Sequence, residues 1–139
     1  MRAMRLLLVL LLVGGVASAD APKGRYRLEV EEGWQPINGP TKDRVRSCGP
    51  RASDFIANIG TLKVEVANDV RVNGIVWKPG PESPNRNSVT NDQLLKGFVL
   101  QVTFYRNDSR AKGILVVVGL SDGVLQCGDA LRLDGRYSR

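Results

Sequence analysis

The run KGFVLQVTFYRNDSRAKGILVVVGL, from Lys96 to Leu120, constrains the fold more than any other part of this chain. Residues 98–105 and 114–118 are rich in β-branched and aromatic side chains and flank a polar break over 106–112, the pattern of an antiparallel hairpin. Phe98, Leu100, Val102 and Phe104 share one face of the first strand, and the return strand is apolar on both faces. Every other segment must therefore cover this hairpin or pair with its edges. A short helix or another molecule is expected over the outer side of the return strand.

The start of the chain reads as a leader. Arg2 and Arg5 precede eight unbroken apolar residues, 6–13, and Ala17-Ser18-Ala19 offers small residues for a signal peptidase, so residues 1–19 are expected to be a signal peptide cleaved on export of a single domain, 20–139. The apolar run is too short to span a bilayer, which takes about 20 residues. Removing the leader takes away two arginines and no acidic residue, and the formal charge falls from +6 to +4. That excess favours solubility and loose attraction to anionic surfaces without naming a partner. Cys48 and Cys127 are the two cysteines, and in an oxidising compartment their simplest fate is a disulfide.

Residues 24–32 alternate, with Tyr26, Leu28 and Val30 on one side and Arg25, Arg27, Glu29 and Glu31 on the other, as in a half-buried strand. Residues 33–40 carry two prolines and Asn38-Gly39 and read as a loop, with Trp34 as a plug over an open end. Ser53 is expected to cap a turn or two of helix that presents Phe55, Ile56 and Ile59 and stops at Gly60. A second hairpin follows over 61–77. A three-residue loop, Ala67-Asn68-Asp69, sets Val66 against Val70 and Glu65 against Arg71, and it is preferred to a turn at Asn73-Gly74, which then becomes a bend or bulge. Residues 78–93 read as one long loop, rich in Pro, Ser and Asn. Ser121-Asp122-Gly123 and Gly128-Asp129 read as turns bounding strands at 124–127 and 130–137.

Seven short strands with room for an eighth between Thr41 and Cys48 indicate an all-β domain. A small antiparallel β-barrel, closed or nearly closed, is expected, with a β-sandwich as the alternative. Gly24-Arg25-Tyr26 and Gly135-Arg136-Tyr137 look like two edges of matched length, and joining them would remove both edges. The architecture resembles that of lipocalin-like barrels in fold alone, since the Gly-x-Trp strand signature of that family is absent and Gly33-Trp34 lacks the spacer.

The chain has no histidine, which removes the commonest general base and metal ligand. Neither a metal nor a cofactor is expected, and no Walker-type or dinucleotide glycine pattern is present. Glu29, Glu31 and Glu32 are the most visible carboxylates, but they sit on a strand face among arginines. Asn107-Asp108-Ser109 matches a glycosylation acceptor, meaningful in a eukaryotic secretory route. The basic group around Cys48, comprising Arg44, Arg46 and Arg51, would be drawn by the disulfide towards Arg132 and Arg136 and suits an anionic ligand or acidic surface.

The expected function is that of an exported, non-enzymatic binding module, secreted or periplasmic. Its contact region would be one open end built from Trp34, Arg44, Arg46, Arg51, Trp77 and the loop over 78–93. The partner would be a small anionic or apolar ligand or a secreted protein. Nucleic acid is not expected, since 6% aromatic content is too little for a stacking platform. The alternatives are an exported inhibitor of a secreted enzyme, an enzyme working through carboxylates alone with Glu29, Glu31 and Glu32 as its candidates, and a structural envelope protein.

Overall fold

The structure is a computed structural model that describes residues 21–31, 35–39, 41–79 and 87–139; the expected leader and Trp34 lie outside them. The alternating segment forms β1 (Gly24–Val30), and Gln35–Pro36 form the two-residue β2. Helix α1 (Pro50–Ile59) precedes β3 (Leu62–Val66), β4 (Val70–Val72) and β5 (Ile75–Pro79). The chain then makes β6 (Ser88–Asn91), β7 (Val99–Asn107), β8 (Arg110–Ser121) and β9 (Val124–Ser138).

Neighbouring strands pair antiparallel in the order β1-β3-β4-β5-β6-β7-β8-β9, and β9 pairs back onto β1. This closes an eight-stranded barrel and joins its two edges. β2 extends the β1 edge along β9, with Pro36 opposite Asp129. The organising hairpin runs longer than its apolar stretch, since β7 and β8 pair from Val99 with Val118 down to Asn107 with Arg110.

Closure occurs where the two Gly-Arg-Tyr sequences meet. Tyr137 pairs with Tyr26 and Arg136 with Arg27. Inside the seam the Tyr26 ring lies 4.8 Å from Tyr137 and 5.0 Å, edge-on, from Phe104. The two phenols reach the strap that precedes β1: Tyr26 Oη donates to the Pro22 carbonyl at 2.9 Å and Tyr137 Oη to the Lys23 carbonyl at 2.7 Å. These bonds satisfy polar tips that the core could not otherwise accommodate. Gly135 makes the close approach possible, because a Cβ there would run into the Arg27 carbonyl.

Leu28, Leu100, Val102, Phe104, Leu115 and Val117 are fully buried in one contiguous core. Eight strands enclose a space that side chains of this size can fill. Helix α1 seals the end reached by the top of β1 and the start of β3, contributing Ala52 and Ile56 to the core. Arg51 braces it across that end, donating to the Lys96 carbonyl at 2.8 Å and lying 5.2 Å over the Phe98 ring. The disulfide Cys48–Cys127 ties the segment before α1 to β9, with Cα atoms 5.0 Å apart. No helix among the described residues is long and apolar enough to cross a membrane.

Several local expectations are corrected. The two turns that compete on sequence grounds both form: Val66 pairs with Val70 across Ala67–Asp69, and Val72 with Ile75 across Asn73-Gly74. Asn73 and Gly74 both have positive φ, 51° and 83°, as a two-residue turn between twisted strands requires. The stretch between is a three-residue strand rather than a bulged one. The long polar segment 78–93 contains β6, and no strand of the barrel lies between Thr41 and Cys48 among the described residues. Gly128-Asp129 is not a turn but part of β9, whose irregularity falls between Leu125 and Cys127. Helix α1 starts earlier than expected, with Pro50 in its first turn, and Ser53 Oγ donates to the Pro50 carbonyl at 3.2 Å instead of capping the helix. It seals an end of the barrel and leaves Ile114 on the outer wall exposed.

Candidate functional site

The described components of the expected open-end site do not meet, while Trp34 and residues 80–86 lie outside the described residues. The β1–α1–β3 connection, the β6–β7 connection and the β8–β9 turn share one end of the barrel, whereas β5 finishes and β6 begins at the other. Arg44, Arg46 and Arg51 are thus at the helix-capped end, and the two strand ends that bound the first part of the long polar segment are at the opposite one. Trp77, 2% exposed, belongs to the core, and its Nε1 has no hydrogen-bond partner among the described residues. A side chain so placed cannot offer its face to a partner, so Trp77 is corrected from rim to interior.

Around the disulfide the basic residues have structural work. Arg46 Nε donates to the Gln126 carbonyl at 3.4 Å, and its own carbonyl accepts from Gly128 N at 3.0 Å. Arg44 sits exposed in a small hairpin opposite Asn38. The organiser here is Asp129, 2% exposed, whose Oδ2 accepts from Cys48 N at 2.7 Å and Ser47 Oγ at 3.0 Å. This buried carboxylate holds the Cys48 segment against β9, and the Gly-Asp turn signal concealed it.

A different constellation lies on the outer wall of the seam. In the strand register Lys63 is opposite Arg27, Arg27 is opposite Arg136, and Arg136 is opposite Arg110. Four cations therefore form one row across β3, β1, β9 and β8. All four point outwards, because the residues on either side of Lys63 and Arg27, and those following Arg136 and Arg110, turn inwards. At a strand spacing of about 4.8 Å the row is roughly 14 Å long. Like charges directly opposite one another oppose pairing.

Ion pairs form at only one end of this row, although Glu65 stands opposite Arg25 and two residues from Lys63, and Glu29 two residues from Arg27. Arg110 forms an ion pair with Asp134, and Lys112 bridges Asp134 at 3.3 Å and Glu31 at 3.4 Å. Burial acts to raise the Asp134 carboxyl, but the Lys112 hydrogen bond and the charges of Arg110 and Lys112 outweigh it and hold the group below its ordinary value. Lys112 is correspondingly raised by its bonds to Asp134 and Glu31. Lys63, Arg27 and Arg136, with Arg25 beside them, have no carboxylate within ion-pair distance among the described residues.

The surface around the row is concave. A cleft of about 740 Å³ runs beside Arg25, Arg27, Lys63, Arg110 and Arg136, with one carboxylate, Glu65, and the Ser109 and Ser138 segments also lining it. A second, of about 530 Å³, continues past Arg27, Arg110 and Arg136 towards Glu29, Glu31 and Asp134. Of the carboxylates singled out in the sequence, Glu29 faces Asp134 across the seam and Glu31 is engaged with Lys112, while Glu32 lies outside the described residues. Arg136 joins this row rather than the disulfide region. Alternation already placed Arg25 and Arg27 outside, but alignment of Arg27 with Arg136 depends on pairing the first and last strands.

The fold defines a small up-and-down antiparallel barrel, pinned by one disulfide and bearing a cationic wall. Compared with protein-family models, curated proteins and solved structures, the chain matches none of them.

Proposed function

We propose that this chain is an exported, non-enzymatic binding module that engages its ligand on the outer wall of the seam. The observation that carries the reading is the row Lys63, Arg27, Arg136 and Arg110, three members of which have no carboxylate partner among the described residues. A fold gains nothing from unbalanced cations on adjacent strands, whereas an anion laid over them would remove the repulsion. Export is supported by the leader pattern over 1–19 and by the disulfide, which favours an oxidising compartment. The filled interior and the helix-sealed end argue against a ligand held within the barrel.

Native mass spectrometry of the exported protein from its own source tests this reading. The mature chain should begin at Asp20, carry the disulfide, and retain a ligand that is lost from an Arg27→Glu/Arg136→Glu variant with an unchanged circular dichroism spectrum. A ligand retained equally by that variant would refute the wall as the binding surface.

A further inference from the structure

We infer that the cationic row takes a linear polyanion of the sulfated or uronic-acid glycan class, lying across the strands from Lys63 to Arg110. This inference rests on the binding role proposed above and names the ligand class. The row is one residue deep and four strands wide, with positive charge at each strand crossing. A chain carrying a charge on each sugar unit meets such a row in register, because a pyranose is about as long as one strand spacing is wide. The Ser109 and Ser138 segments bordering the cleft add hydroxyl and backbone groups suited to sugar oxygens.

Two other polyanions fit the surface less well. A planar anionic membrane would cover more than the row, and on one side it would press Glu29, Glu31 and Asp134 against its own negative charge. A nucleic acid strand would lack stacking partners, because the two tyrosines along the cleft, Tyr26 and Tyr137, face inwards and are 1% and 8% exposed. A linear glycan needs neither a wide positive field nor an aromatic platform.

Three of the four cations make no ion pair among the described residues, even with Glu65 and Glu29 nearby on the same face, and this separates the role from a merely structural one. Were the arginines present to hold the seam together, neutralising them would weaken the fold. A row kept for an external anion has the opposite property, since neutralisation relieves repulsion while binding is lost.

Calorimetric titration of the exported protein with a heparin octasaccharide at low and at physiological salt reads this directly. Binding should weaken steeply with salt, as charge-neutralising contacts do. It should fall at least tenfold in Arg27→Gln/Arg136→Gln and stay unchanged in Lys42→Gln/Lys96→Gln, which removes the same charge away from the row. Uncharged dextran should not bind. Equal heparin binding by the seam variant, or tighter binding of a single-stranded oligonucleotide or of phosphatidylglycerol vesicles than of heparin, would overturn the glycan assignment. If no probe binds and the ligand from the native source is nevertheless lost from the seam variant, the ligand class falls and the wall-binding role stands; if that ligand survives, both fall.

Discussion

The inner and outer faces of the β1–β9 seam are made from alternate residues of the same two strands, yet they bear on stability in opposite directions. Inside, Tyr26 and Tyr137 stack, bond to the strap at Pro22 and Lys23, and join a core in which Leu28 and Leu133 are buried. Outside, Arg27 and Arg136 stand directly opposite with no carboxylate to separate them among the described residues. The inner face holds the barrel closed, and the outer face is tolerated because of it. Where a sheet's two sides differ so clearly, the side that does not help folding is the one on which to seek function.

The largest effect expected from breaking this arrangement is at Gly135. Substitution by Ala would force a methyl group into the Arg27 carbonyl, a backbone atom that can move only if the seam opens. A loss of about 3 kcal/mol or more is expected, in the range of severe overpacking, measurable by denaturant unfolding. A smaller effect is expected at Tyr26, whose removed hydroxyl would leave the Pro22 carbonyl without its donor. Tyr26→Phe should cost about 1 kcal/mol at neutral pH. Burial, reinforced by Tyr137 and opposed by Arg106, pushes the Tyr26 phenol up to about 12. The neutral phenol is therefore favoured by folding: its contribution is intact below the ordinary value near 10 and is lost as the pH rises through about 12. Alkaline melting curves should show this loss in the wild type and a weaker one in Tyr26→Phe.

Much of the barrel is legible in the sequence because its signals are local. The alternation around Tyr26 and Leu28 and the apolar face of Leu100, Val102 and Phe104 both describe buried strand faces. The matched Gly-Arg-Tyr edges do pair, which is the reason the barrel closes. Sequence and structure part where a local signal is overruled from a distance. Gly128-Asp129 has the composition of a turn, but Asp129 is taken up by Cys48 N and Ser47 Oγ, so the strand runs on through it. β6 is hidden because Ser88, buried beneath the hydrogen bond from Gln101 at 2.6 Å, looks like a loop residue. Asn73-Gly74 and Ala67–Asp69 look mutually exclusive because a strand as short as Val70–Val72 has too few residues to show an alternation of its own. The cationic row is the least legible feature, since Arg27 and Arg136 become neighbours only when the first and last strands are joined.

The most direct measurement is the melting temperature of the Arg27→Gln/Arg136→Gln variant beside the wild type, at low salt and without ligand. Its stability should change by only about a few tenths of a kcal/mol, less than at Gly135 or Tyr26, and the sign is what matters: the variant should melt at the same temperature or slightly higher, and added salt should narrow the gap. A variant that melts clearly below the wild type would show that the arginines hold the seam together, contradicting the division between a face that folds and a face proposed to bind.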